Sequence, residues 1–399
     1  MSLGDGAPMR ILHVVRFGSI MGGAETYVAA LCEGLRAAGH DTALVYGEAP
    51  DGERPEVAAG VALPAIAAGE PDPAGLTAAI ERYAPDLVHV HTPELPWVAA
   101  AARALSPVMV AVHDHRLNCP TGTKYWTAWH RACSVKPGPW CLGYNAVAHC
   151  GSLKANATLR PYRGWRAARA GAEGARIQVF SRFMRGMLSR AGVDASSVAV
   201  THYPVPPRPP AVPVHEQDPR PVVLVSGRLN KEKGFHDAID ALTRVRGGVH
   251  LVVAGGGHER RALERRARTT PGPHRITFTG WLSPGELAGW RERAALVLVP
   301  SMWPEPFGIA GLEAMAAGRA VLAFDTGGIP EWLEDGRTGR LVPAGDVRAL
   351  GDTMAEMMAD DAGRARMGAA GAARARSEFS LALHMETLLP IYEDVCAPR

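Results

Sequence analysis

Between His202 and Pro213 the chain reads His-Tyr-Pro-Val-Pro-Pro-Arg-Pro-Pro-Ala-Val-Pro. Proline fixes φ and carries no amide hydrogen, so neither a helix interior nor a central strand can run through this stretch. It predicts a stiff, extended linker that divides the chain in two. On either side, apolar runs of strand length alternate with longer amphipathic segments. Such alternation specifies parallel sheets covered by helices, the doubly wound α/β architecture. The division expected is residues 1–205, residues 219–378 and a last helix over 379–399. A chain of 399 residues can bury a core in each half.

In the first half, residues 10–15 read as a buried strand and Phe17-Gly-Ser-Ile-Met-Gly-Gly-Ala24 as a flexible loop. The helix after it carries an apolar stripe at Val28, Leu31 and Leu35 and stops at Gly39. Strands follow over 41–46, 86–92, 108–112, 176–180 and 198–202, with helices over 72–83, 94–105 and 151–171. By themselves Gly22 and Gly23 read as a tight turn. His113, at a strand end in Val112-His113-Asp114-His115, reads by itself as a core histidine bonded to a carbonyl. Arg160, Arg163, Arg166 and Arg169 form a basic stripe, read as a solvated face or a contact for an anionic surface.

The alternation breaks over residues 118–150, where four of the six cysteines fall: Cys119, Cys133, Cys141 and Cys150. Clustered cysteines in a reducing compartment point to structural zinc. No Cys-x-x-Cys pair is present, and Trp126, Trp129 and Trp140 are interleaved, so a packed, redox-inert lobe is the other reading.

In the second half, residues 294–299 read as a buried strand, followed by Ser301-Met-Trp-Pro-Glu-Pro-Phe-Gly308 and a helix over 308–317. A loop that leaves a strand and opens a helix presents free backbone N–H groups and the positive end of the helix dipole. Ala310 and Gly311 leave the first turn bare for close approach of a ligand. Glu305 and Glu313 lie eight positions apart, roughly 12 Å along a helix, which suits the two ends of one long ligand better than one reacting atom. Residues 221–226 form another strand, followed by Gly227-Arg-Leu-Asn-Lys-Glu-Lys-Gly234, and Gly327-Gly328 follows a strand at 320–324.

Glu305-Pro306-Phe307-Gly308 with Glu313-Ala314 resembles the donor-site signature of glycosyltransferase family 4, whose members are retaining enzymes of the GT-B fold. Gly22-Gly23-Ala24-Glu25, the His-Asp at 113–114 and Gly227-Arg-Leu with Lys233-Gly234 are similar to further phrases of that family. The resemblance implies two Rossmann-like domains facing each other across a cleft. The N-terminal one would bind acceptor and carry the cysteine insert, and the last helix would cross back to it. It also implies a nucleotide-diphosphate sugar as co-substrate. In that arrangement Gly22 and Gly23 lie between diphosphate and acceptor, His113 against the sugar, and Arg228 and Lys233 on the diphosphate. Glu305, with Pro306 and the N–H groups of Phe307, Gly308 and Ile309, would hold sugar hydroxyls, Glu313 the ribose, and Trp281 and Leu282 the base. His113, Glu305, Arg228 and Lys233 form the catalytic set. The function implied is transfer of a sugar, UDP-glucose or UDP-N-acetylglucosamine by family frequency, to a hydroxyl of a natural-product or aminocyclitol intermediate. The alternatives are a sugar-nucleotide epimerase and an inactive sugar-nucleotide-binding protein.

A net charge of +3 is too small to argue for nucleic acid, and no apolar run reaches membrane-spanning length. With no apolar signal core at the start, the expectation is a cytoplasmic enzyme without organic cofactor or catalytic metal.

Overall fold

The computed structural model describes residues 7–20, 22–48, 57–58, 60–63, 66, 70–150, 159–215 and 218–397. The chain forms two compact units. Met1–Lys124, Ser134–Pro206 and Ser380–Arg399 make the first, and Tyr125–Cys133 with Pro207–Phe379 the second. Residues 201–215 contain no helix or strand, in keeping with their prolines.

The strands of the first half are β1 (Arg10–Phe17), β2 (Asp41–Glu48), β3 (Gly60–Ala62), β4 (Leu87–Val90) and β5 (Val108–Val112). A short hairpin of β6 (Tyr125–Trp126) and β7 (Arg131–Ala132) comes next, then β8 (Arg176–Val179) and β9 (Val198–Val200). All but the hairpin form one parallel sheet in the order β3-β2-β1-β4-β5-β8-β9. Strand alternation gives this sheet two unlike faces. On one, Leu12, Val14, Val88, Val90, Val108 and Val110 pack against helices Pro73–Tyr83 and Pro96–Arg103. On the other, His13, His89, His91 and Gln178 lie buried with Tyr27 of helix Gly23–Ala37 and with His384 and Tyr392 of helix Leu381–Cys396. Tyr27 shares a 3.0 Å hydrogen bond with His384, and His89 Nδ1 one of 2.7 Å with the Tyr392 hydroxyl. The last helix therefore belongs to the first unit through polar contacts as well as apolar ones.

The second unit contains β10 (Val222–Ser226), β11 (His250–Ala254), β12 (Arg275–Gly280), β13 (Ala294–Val299), β14 (Val321–Asp325) and β15 (Arg340–Pro343). They form a parallel sheet in the order β12-β11-β10-β13-β14-β15. Its core includes Val223, Leu251, Leu298, Phe235, Phe324 and Tyr125. Tyr125 comes from the hairpin, so part of the cysteine-bearing insert is built into the second unit, not the first. No helix among the described residues is long and apolar enough to cross a membrane.

The hairpin roofs a cavity of about 530 Å³ beside helix Phe235–Ala241, lined by His130, Arg131, His236, Asp237, Arg266 and Met302. Asp237 Oδ2 is buried and has no hydrogen-bond partner among the described residues. Burial, then the nearby Asp240 charge, push the Asp237 carboxyl up from 3.8 to about 7, with Arg266 opposing. A folded-state value above the unfolded one favours the native state at low pH, and that contribution is lost as pH rises through 7. Asp237→Asn keeps the shape and removes the charge. It should raise Tm at about pH 8 by several degrees and leave it nearly unchanged near pH 4. An equal gain at both pH values, in a thermal melt series, would discount the buried charge.

Candidate functional site

Each sheet has one point where the strand order reverses, and loops leaving the two strands there diverge to opposite faces, opening a crevice at the strand ends. In the second unit that point lies between β10 and β13. β10 delivers residues 227–234 to it, and β13 delivers residues 300–308.

These two loops are locked together. Lys233 Nζ donates to Glu305 Oε1 at 2.5 Å and lies 4.6 Å from the centre of the Trp303 ring. Ser301 Oγ donates to the same carboxylate at 2.5 Å, and the backbone amides of Met302 and Trp303 both donate to Glu232 O. Glu305 is buried, at 6% exposure. Burial alone would raise its carboxyl. The Lys233 charge and the hydrogen bonds from Lys233, Ser301 and Trp303 outweigh that and hold it below the ordinary range. Glu305 is thus an ionised carboxylate aligned by three side chains. Arg228 is exposed and has no ion pair among the described residues.

Gly308 stands at φ +93, a left-handed conformation that glycine adopts without strain, and helix Ile309–Ala316 starts there. The amides of Gly308, Ile309 and Ala310 have no backbone partner among the described residues, as the first turn of a helix requires. The sequence reading of Gly311 needs correction. A Cβ there would fall 2.3 Å from Cη2 of Trp332, so its bareness serves packing, not ligand approach. Gly327 is similar: a Cβ would lie 2.1 Å from Glu305 O, and Gly328 N donates to that oxygen at 2.8 Å. The Gly-Gly turn braces the Glu305 backbone. The side chains of Pro306 and Phe307 are also buried, and Phe307 O accepts from Trp332 Nε1 at 2.6 Å.

Glu313 is half-buried and paired with Arg291, whose Nη2 donates to Oε2 at 2.7 Å. Nothing in the sequence signalled Arg291. It lies in the last turn of helix Pro284–Arg293 and is buried, so it fixes Glu313 in place. Trp281 is exposed and Leu282 half-buried, just after β12.

In the first unit the order reverses between β1 and β4. Gly22 and Gly23 follow β1 and open helix Gly23–Ala37, while Glu94 follows β4. Glu94 and Asp114 both pair with Arg116, at 2.7 and 3.3 Å, and Glu25 adds its field to the same guanidinium. His113 closes β5, but both its ring nitrogens are engaged: Nε2 with His91 Nδ1 at 3.0 Å and Nδ1 with the Tyr203 hydroxyl. Burial lowers its pKa to about 3, so the ring is neutral. What His113 offers a ligand is an oriented neutral ring. Its partners lie 22 and 90 residues away, beyond the reach of any local pattern.

All four insert cysteines are free thiols, Cys133 belongs to the second unit while Cys119, Cys141 and Cys150 belong to the first, and Cys150 Sγ donates to Asn145 Oδ1. Among the described residues His13, His89 and His91 form a set able to hold an ion.

Residues 212–374 match the family model described as glycosyl transferases group 1, and residues 21–208 that of Glycosyltransferase Family 4. Alpha-maltose-1-phosphate synthase of Mycobacterium tuberculosis is 35% identical over 223 residues. That match spans about half of each protein, 52% of this chain and 56% of the relative. Phosphatidyl-myo-inositol mannosyltransferase of Mycobacterium leprae is 28% identical over 390 residues, 94% of each chain. Among solved structures, Anabaena HepE in complex with UDP and glucose superposes with a TM-score of 0.72 at 19% identity, covering 97% of this chain and all of that one.

Removing Lys233 leaves Glu305 buried without its charge partner. Lys233→Met should destabilise the fold by roughly 2–4 kcal/mol, allowing for the partial exposure of the lysine. Adding Glu305→Gln should recover much of that loss. A double-mutant cycle by urea unfolding measures the coupling, and a value under about 0.5 kcal/mol would remove the pair as the organiser of these loops.

Proposed function

The chain belongs to glycosyltransferase family 4, the group 1 transferases of GT-B fold, and from that premise we propose that it is a retaining hexosyltransferase using a nucleotide-diphosphate sugar. The observation that carries this reading is the strand-end constellation of Lys233, ionised Glu305 and the open amides of Gly308, Ile309 and Ala310, with Arg228 exposed beside it. The complex of HepE with UDP and glucose supports UDP-glucose as donor, with UDP-N-acetylglucosamine the close alternative.

As the bond between the sugar C1 and the diphosphate oxygen breaks, negative charge grows on the leaving group and positive charge on the sugar ring. Arg228, Lys233 and the amides opening helix Ile309–Ala316 stabilise the first. The Glu305 carboxylate faces the second. The acceptor hydroxyl attacks from the face the diphosphate leaves, and its proton passes to a diphosphate oxygen, so the anomeric configuration is kept. Glu313, held by Arg291, accepts from the ribose hydroxyls, and Trp281 and Leu282 flank the base. This chemistry needs no organic cofactor and no catalytic metal. The carboxylates of Glu25, Glu94 and Asp114 around Arg116 favour a polar, amine-bearing acceptor such as an aminocyclitol on the first unit.

The test is incubation with UDP-sugars and a panel of aminocyclitols, with the product anomer read by NMR. The α-configured donor should give an α-linked product, and an inverted product would exclude the mechanism. Arg228→Ala should lower kcat on the order of 10²-fold with unchanged Tm. Glu305→Gln should lower kcat while calorimetric UDP affinity stays near wild type, and Glu313→Gln should mainly raise the donor KM. Loss of UDP affinity in Glu305→Gln but not in Glu313→Gln would reverse the donor. Donor turnover without an acceptor, giving an isomeric nucleotide sugar, would favour an epimerase.

A further inference from the structure

The polar face of the first sheet holds three imidazoles that the proposed transfer does not use. His13 on β1 is in register with His89 on β4, and His91 lies two positions on, so strand alternation turns all three to the same side. Their ring centres are 4.2 to 5.6 Å apart. One ligand-capable nitrogen from each lies within 4.8 Å of the other two. His13 and His89 are fully buried and His91 is 8% exposed.

His89 Nε2 is buried and has no hydrogen-bond partner among the described residues. Buried polar atoms in native proteins nearly always have one, so something is expected to fill the place. A neutral imidazole is the form that ligates metals.

We propose that His13, His89 and His91 hold one divalent transition-metal ion of the zinc class. The contact between His13 Nδ1 and His91 Nε2 is 3.2 Å. Two nitrogens on one tetrahedral zinc, each bonded at about 2.0–2.1 Å, stand about 3.3 Å apart. Two of the three far nitrogens are already tied down: His89 Nδ1 by the Tyr392 hydroxyl and His91 Nδ1 by His113 Nε2. That is the outer shell metal-bound histidines carry, and it fixes tautomer and ring orientation. An all-nitrogen set selects zinc, cobalt or nickel over magnesium or calcium. The ion would join β1 to β4 and, through His89 and Tyr392, to the last helix. With its Nε2 on the ion, His91 keeps its proton on Nδ1 and can only donate to His113, which sets the His113 tautomer from behind.

The site is closed to solvent, so the ion must enter during folding. The experiment is to unfold the full chain in chelator and refold it with Zn²⁺, Co²⁺, Mg²⁺ or no metal, followed by desalting. About one zinc or cobalt per chain is expected, with a Tm several degrees above the metal-free and magnesium samples. The cobalt form should show visible ligand-field bands without thiolate-to-metal charge transfer, and His13→Gln should lose the ion while keeping its far-UV circular dichroism. If wild-type protein refolded with zinc or cobalt retains less than about a tenth of an ion and melts as the metal-free sample does, the proposal fails. Charge-transfer bands would place the metal on the insert cysteines and overturn it equally.

Discussion

The buried contact between Lys233 and Glu305 settles how the second unit can present a polar surface at the end of an apolar sheet. A carboxylate at 6% exposure would ordinarily take up a proton, since desolvation penalises the charged form. Lys233, Ser301 and Trp303 reverse that balance, so the charge survives where the backbone needs it. The pair also ties the loop after β10 to the loop after β13, two strands that are neighbours in space although the paired residues Val222 and Ala294 are 72 positions apart in the chain. Lys233 stays half-buried in this pair, and together with exposed Arg228 and the amides at the start of helix Ile309–Ala316 it gives these loops a positive character that suits an anionic ligand.

The first unit solves a different problem. Its sheet buries one apolar face in the ordinary way, while the other carries imidazoles, an amide and phenols under two helices. Such a layer holds together only if its members satisfy one another. The hydrogen bonds His91–His113–Tyr203 and His89–Tyr392 do most of this, and Gln178 Nε2 donates to the Tyr27 and Thr201 oxygens. A polar layer is more specific about register than an apolar one, because a slip of one residue would bury unpaired donors against hydrocarbon.

The alternating strands, the proline break and the loop around Glu305 were legible because each rests on local rules: apolar run length, proline geometry and the opening of a helix. Helix Asp361–Glu378 was not, since it has no apolar stripe. Its buried positions are Gly363, Gly368, Gly371, Ala372 and Ala375, and it packs by close approach, a Cβ at Gly371 falling 2.5 Å from Met315 Cγ. The helix expected over 94–105 spans only Pro96–Arg103, because Pro96 sets its first turn. Of the helix expected over 151–171, Leu159–Ala172 is seen, and 151–158 lie outside the described residues. In the site, the residues that touch a ligand by family resemblance could be named, but those that hold them could not. Arg291, His91 and Tyr203 act through contacts 22 to 90 positions away, and no spacing in the chain announces such a contact.

Glycine shows the same limit from the other side. Gly308, Gly311 and Gly327 look alike in sequence, three bare positions around one glutamate. Only Gly308 has its freedom spent on the turn that exposes amides. Gly311 makes room for Trp332, and Gly327 makes room for the Glu305 carbonyl. Trp332 in turn donates to Phe307 O, so the bulk admitted at Gly311 fixes the backbone between Glu305 and Gly308. A larger residue at Gly311 would displace that indole and release the loop without touching any ligand. Part of what reads as a binding signature is therefore a packing requirement, and the two are inseparable because the same few residues must both shape the loop and leave its amides open.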